Sequence, residues 1–167
     1  LVGEHNLSSS VTTVVDSTLA SPCLTQPLRL GADIVMHSGT KCLAGHSDAL
    51  IGLVTVSPWT ERGRELAPLL KNVRVLAGNG ASPFDSWLTM RGMRTLHVRV
   101  ERQCKTALAL AQYLDHHEHV RVVHYPGLEG HPQHEIAKKQ MKQNQFGMVM
   151  SIELANAPQA IAMAGAL

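Results

Sequence analysis

The sequence predicts an α/β fold organised around a parallel or mixed sheet. Two short runs, Val11 to Val15 and Asp33 to His37, are apolar and largely β-branched without the alternation of a half-exposed strand, the pattern of strands covered on both faces. Between them Pro22 to Leu30 reads as a short helix, giving the order strand, helix, strand. Farther along, from Phe84 to about His116, apolar residues recur at helical spacing with no proline.

Each element follows in order. The first strand ends at Asp16 and the second just before Lys41, so both side chains fall at strand ends, where such sheets bind ligands. Ala49 to Val56 reads as a third strand, and after Pro58 the pattern turns helical through about Leu76. Ala77 to Pro83 is a loop that supplies a start signal for the long helix, with Gly92 as a possible kink. Val120 to Tyr125 is a strand ended by Pro126 and Gly127, Gln133 to Gln143 is a polar helix, and Gly147 to Leu154 alternates as a strand. The composition shifts near Ala81, which divides the chain into 1–80 and 81–167.

Charge is nearly balanced, with 15 Lys and Arg against 13 Asp and Glu, and basic residues never cluster in long runs. That removes the electrostatic case for nucleic acid or an anionic membrane and leaves a small molecule as the expected partner. Three cysteines, Cys23, Cys42 and Cys104, cannot all pair and lack a C-x-x-C spacing, which fits a reducing compartment. No charged-then-apolar leader opens the sequence, and no run approaches the ~18 apolar residues of a spanning helix. A soluble, cytoplasmic protein is expected.

Chemistry concentrates in Asp33 to Leu50, DIVMHSGTKCLAGHSDAL. Lys41 stands directly after an apolar strand, among small residues, with hydroxyls at Ser38 and Thr40; an amine so placed suits covalent capture of a carbonyl cofactor. A nucleotide P-loop needs glycine before the lysine and Ser or Thr after it, whereas Thr40 precedes and Cys42 follows. Asp16 alone would read as a cap of the following loop. Ten histidines, six of them between His116 and His134, match no metal-ligand template, and no metal is expected. His46 and Asp48 read as braces of the lysine loop, Cys42 as a buried spacer, and Arg91 and Arg94 as a solvated helix face or a subunit contact.

The stretch HSGTKCLAGHSD resembles the cofactor-lysine signature of the pyridoxal-phosphate-dependent Cys/Met-metabolism (trans-sulfuration) family, H-S-x-T-K-Y-hydrophobic-x-G-H-S-D. Upstream, VVDSTLASPCLTQPLRLGADIV is similar to that family's V-V-D-N-T-F-x-S-P block. Downstream, ASPFDSWLTMRGMRTLHVRVERQ and VVHYPGLEGHPQHEIAKKQM resemble two further blocks in the same order. Ser17, Leu19 and Cys42 depart from the pattern, where Asn, an aromatic residue and Tyr are usual.

The resemblance implies a type I, aspartate-aminotransferase-like fold, with 1–80 as the second half of the cofactor domain. Residues 81–167 are then a long linking helix and the start of a smaller α+β domain. It implies pyridoxal 5'-phosphate held by Lys41, with Asp16 on the ring nitrogen and Ser38 and Thr40 on the phosphate. The implied activity is β- or γ-elimination or replacement on sulfur amino acids or homoserine esters, nearest the cystathionine γ-lyase and γ-synthase branch, in a homo-oligomer built as a dimer of dimers. Against the family pattern the chain reads as an internal fragment. It lacks the upstream stacking aromatic, the glycyl phosphate loop, the Tyr/Arg pair reaching a neighbouring subunit, and the downstream arginine for the substrate carboxylate. A non-catalytic fragment with at most cofactor binding is the alternative.

Overall fold

The computed structural model describes residues 11–166, apart from the Gln143 side chain, so the reading of the chain's opening residues lies outside it. The chain forms two compact units that meet in sequence between His97 and Val98.

The first unit is built on a three-stranded sheet of order β1-β2-β3, with β1 at Val14–Asp16, β2 at Ile34–Ser38 and β3 at Gly52–Val56. β1 runs parallel to β2, pairing Val14 with Ile34 and Asp16 with Met36, and β3 runs antiparallel to β2. The sheet is therefore mixed. β2 is central and buries Ile34, Val35 and His37, which accounts for its continuous apolar character.

Asp33 ties the near ends of all three strands. Its Oδ2 accepts the Thr13 N–H at 2.9 Å, its own N–H donates to the Thr13 carbonyl at 3.1 Å, and its carbonyl accepts the Ser57 N–H at 2.7 Å. A buried carboxylate is costly unless hydrogen-bonded. Here it caps the entry to the sheet.

The crossover from β1 to β2 is shorter in helix than Pro22 to Leu30 predicted. Helix α1 spans only Ser21–Leu24, and a 3₁₀ turn follows at Pro27–Leu30, because Pro27 lacks an N–H and its ring disfavours helix at Gln26. Likewise β3 begins at Gly52 rather than Ala49, since the Ile51 carbonyl is turned to the Gly39 and Thr40 N–H groups. Helix α2, Glu61–Leu76, starts where Thr60 Oγ1 accepts the Gly63 N–H at 3.0 Å.

In place of one long helix there are two, α3 at Pro83–Met93 and α4 at Leu96–Asp115. The Arg94 and Thr95 N–H groups close tight bonds to the Arg91 and Gly92 carbonyls, which turns the chain there rather than kinking it at Gly92. Ser82 caps α3, its hydroxyl accepting the Phe84 and Asp85 N–H groups. Leu88 of α3 is buried with Ala44 and Ala49 of the loop after β2.

In the second unit, β4 (Val120–His124) pairs antiparallel with β5 (Ser151–Leu154). Ala107 and Ala111 of α4 pack with Val123, Tyr125, Ala137 and Phe146 into one core, and helix α5 (His134–Gln140) supplies Ala137. Tyr125 is fully buried; its hydroxyl donates to the Gly147 carbonyl at 2.8 Å, and burial pushes its pKa up to about 12, with the neighbouring Cys104 a smaller influence in the same direction. A last helix, α6 at Ala157–Ala166, was not anticipated; the Asn156 side chain accepts the Gln159 N–H at its start.

Candidate functional site

The far end of the sheet gathers the predicted residues. Asp16 closes β1 and Ser38 closes β2, the two strands being parallel neighbours. Thr18 joins them: its hydroxyl accepts the Ser38 N–H at 2.8 Å and donates to Asp16 Oδ1 at 2.6 Å, and its own N–H donates to the same oxygen at 2.9 Å. These bonds hold the exposed Asp16 carboxyl below its ordinary range, with the hydroxyl bond the larger influence and the charge relation with His37 a small further one. Asp16 is accordingly a carboxylate at neutral pH.

Behind it, His37 is buried, and burial lowers its pKa against the opposing pull of Asp16. Among the described residues, His37 Nε2 and Ser17 Oγ are buried without a hydrogen-bond partner.

Lys41 lies in the tight turn that follows β2. Its N–H donates to the Ser38 carbonyl at 3.1 Å and its carbonyl accepts the Gly45 N–H at 2.8 Å, while Ala44 N–H returns to Gly39. The Lys41 side chain is exposed, whereas Cys42, Leu43 and Ala44 after it are buried. The turn is thus anchored by its apolar face and presents the amine outward. Gly39 sits at a close approach, where a Cβ would overlap the side chains of Leu53 and Ile51 and force them to shift. Thr40 Oγ1 accepts the Ile51 N–H at 3.1 Å, which leaves the hydroxyl's proton to donate elsewhere.

Helix α3 braces the same loop. Arg91 donates to Asp48 at 2.6 Å and lies over the Trp87 ring, Asp85 accepts the Leu50 N–H at 3.2 Å, and Gly92 packs so tightly that a Cβ would overlap the Ala44 carbonyl. Arg91 is exposed, as a solvated helix face requires, and is in addition paired with the brace residue Asp48. His46 Nδ1 donates to the Ala44 carbonyl at 2.6 Å.

Among the described residues no group of three or more His, Cys, Asp or Glu could hold a metal ion. His116 instead donates to the Gln112 carbonyl at 2.9 Å, and His134 to that of Pro126 at 2.9 Å.

Sequence reasoning passed over Thr18. Its signal was present as Asp-x-Thr at a strand end, the spacing at which a hydroxyl can turn back onto the carboxylate.

The donor set suits a phosphorylated pyridine aldehyde. An ionised carboxylate fits a cationic ring nitrogen, hydroxyls at Ser38 and Thr40 fit phosphate oxygens, and an outward-facing amine fits the carbonyl carbon.

A family model, described as Cys/Met metabolism PLP-dependent enzyme, matches residues 2–166. A cystathionine beta-lyase of Coxiella burnetii is 45% identical over 92% of this chain and 38% of its own length. An L-methionine gamma-lyase of Fusobacterium nucleatum is 45% identical over 84% of this chain and 34% of its own. Among solved structures, cystathionine gamma synthase from Xanthomonas oryzae, in complex with aminoacrylate and cysteine, superposes with a TM-score of 0.84 at 42% identity, covering 92% of this chain and 38% of that one. The chain thus spans a little over a third of the length of these proteins, which are named for three different reactions. No helix among the described residues is long and apolar enough to cross a membrane.

Proposed function

The chain belongs to the Cys/Met metabolism PLP-dependent enzyme family, and from that premise we propose that it carries the cofactor-anchoring part of a trans-sulfuration enzyme. Its fold is α/β with a mixed sheet, and its structural neighbours share the type I fold of such enzymes. The proposed reaction is β- or γ-elimination or replacement on cystathionine, a homocysteine relative or an acylhomoserine, of the cystathionine γ-lyase or γ-synthase type.

One observation carries the assignment of roles: Thr18 links the Asp16 carboxylate at the end of β1 to Ser38, three residues before Lys41. Lys41 would hold the cofactor covalently through Nζ and, once released by the incoming substrate amine, move a proton to and from the substrate carbon. Asp16 would keep the ring nitrogen protonated. Ser38 and Thr40 would bind the phosphate, Thr40 donating with the proton that the Ile51 contact leaves to it. When bound, pyridoxal phosphate supplies the electron sink that makes the substrate carbon acidic. The residues of 1–80 are assigned to the cofactor domain and those of 81–167 to the linking helices and the start of the smaller domain. The assembled enzyme is placed in the cytoplasm as a homo-oligomer, a dimer of dimers.

The test is reductive trapping with borohydride followed by peptide mapping. Label on Lys41, lost in Lys41→Ala, is expected; label on Lys71 or Lys105 would overturn the assignment. A second reading, cofactor capture without turnover by these 167 residues alone, is favoured by their 38% span of the relatives. Steady turnover of cystathionine or an acylhomoserine by the isolated chain would exclude it.

A further inference from the structure

We infer that Thr18 is the positioning residue of this site, fixing which oxygen of Asp16 faces the cofactor and coupling that carboxylate to the phosphate-binding end of β2. The inference rests on the assignment of Asp16 to the ring nitrogen.

The geometry is directional. The parallel ladder between β1 and β2 ends with the Ser17 N–H on the Met36 carbonyl at 3.0 Å, and the Thr18 hydroxyl then takes the next N–H of β2, that of Ser38, at 2.8 Å. A side chain thus adds one rung beyond the strand. With an acceptor site of Oγ1 filled by that N–H, the Thr18 proton is directed at Asp16 Oδ1, 2.6 Å away. The Thr18 N–H reaches the same oxygen at 2.9 Å. Both bonds converge on Oδ1, and among the described residues Oδ2 takes none, so Oδ2 is the oxygen presented to an incoming N–H.

The arrangement has two consequences. Two donors on one carboxylate oxygen favour the ionised form, which a ring-nitrogen partner requires. In addition, the hydroxyl is the joint between Asp16 and the Ser38 backbone, so a shift at the phosphate end is carried to the carboxylate through a single atom. A hydroxyl is needed for both bonds. Serine retains it, whereas valine keeps the shape and loses donor and acceptor together.

The experiment compares the full chain with its Thr18→Val, Thr18→Ala and Thr18→Ser variants. The Asp16 carboxyl is followed by carbon NMR without cofactor and assigned through Asp16→Asn. Thr18→Val should move the Asp16 titration midpoint upward, with Thr18→Ala doing the same if the valine variant is unfolded, and Thr18→Ser should keep it at the wild-type position. After addition of pyridoxal phosphate, the pH dependence of the visible absorption should move in the valine and alanine variants and be restored by serine. An unmoved Asp16 midpoint in the valine and alanine variants, or failure of serine to restore it, overturns the inference. If Asp16→Asn left the cofactor spectrum and its pH dependence unchanged, the ring-partner assignment would fail instead, and the cofactor-free titration would still decide whether Thr18 governs Asp16.

Discussion

At the scale of single residues, the site rests on a carboxylate and an amine at neighbouring strand ends. Replacing Asp16 by Asn removes the charge that, in the proposed site, would keep a ring nitrogen protonated, but leaves the side chain's size unchanged. Cofactor capture should therefore survive in part while the chemical step slows strongly in the assembled enzyme. Single-turnover rates equal to wild type would disprove the role. The positions of Lys41 and Asp16 at the ends of neighbouring strands were legible in the sequence, because each directly follows an apolar run. Thr18 was not, because a threonine two residues after an aspartate is common in turns, and only the register of two parallel strands turns it into a link with Ser38.

At the scale of elements, the lysine loop is held from below by α3, and Gly92 marks the closest approach. A methyl group there would overlap the Ala44 carbonyl, which is backbone and cannot rotate away. Gly92→Ala should cost about 1–3 kcal/mol of stability, as overpacked contacts do, and should lower the yield of cofactor trapped on Lys41. Denaturant titration and peptide mapping measure the two effects. The run of helical periodicity from Phe84 to His116 did not reveal the break between α3 and α4, because neither Arg94 nor Thr95 is a helix breaker and the turn is made by backbone bonds. Strand direction was equally hidden. Apolar runs mark β2 and β3 as strands, though only β2 is buried and Val54 of β3 is exposed, and the same residues would serve a parallel or an antiparallel β3.

At the scale of the whole molecule, each unit has its own anchor. In the second it is Tyr125, buried with its hydroxyl on the Gly147 carbonyl. Tyr125→Phe leaves that carbonyl without its donor and should cost roughly 1–3 kcal/mol, read by thermal or denaturant unfolding. The raised pKa sets a pH dependence of definite sign. Tyr125 holds its proton to about 12 when folded against 10.0 as the reference value, so its contribution is complete below pH 10 and is lost as pH rises toward 12. Tyrosinate absorbance should contain a component with a midpoint near 12 that Tyr125→Phe removes. In the first unit the anchoring falls at both ends of β2, on Asp33 at its start and on Thr18 at its finish. Mechanically, β2 is a beam clamped at each end, able neither to slide past β1 nor to fray from a free tip. Its amide protons should therefore keep the slowest time in the unit, exchanging with solvent only when the sheet opens as a whole. Cutting the Thr18 clamp should let the Ser38 end peel first.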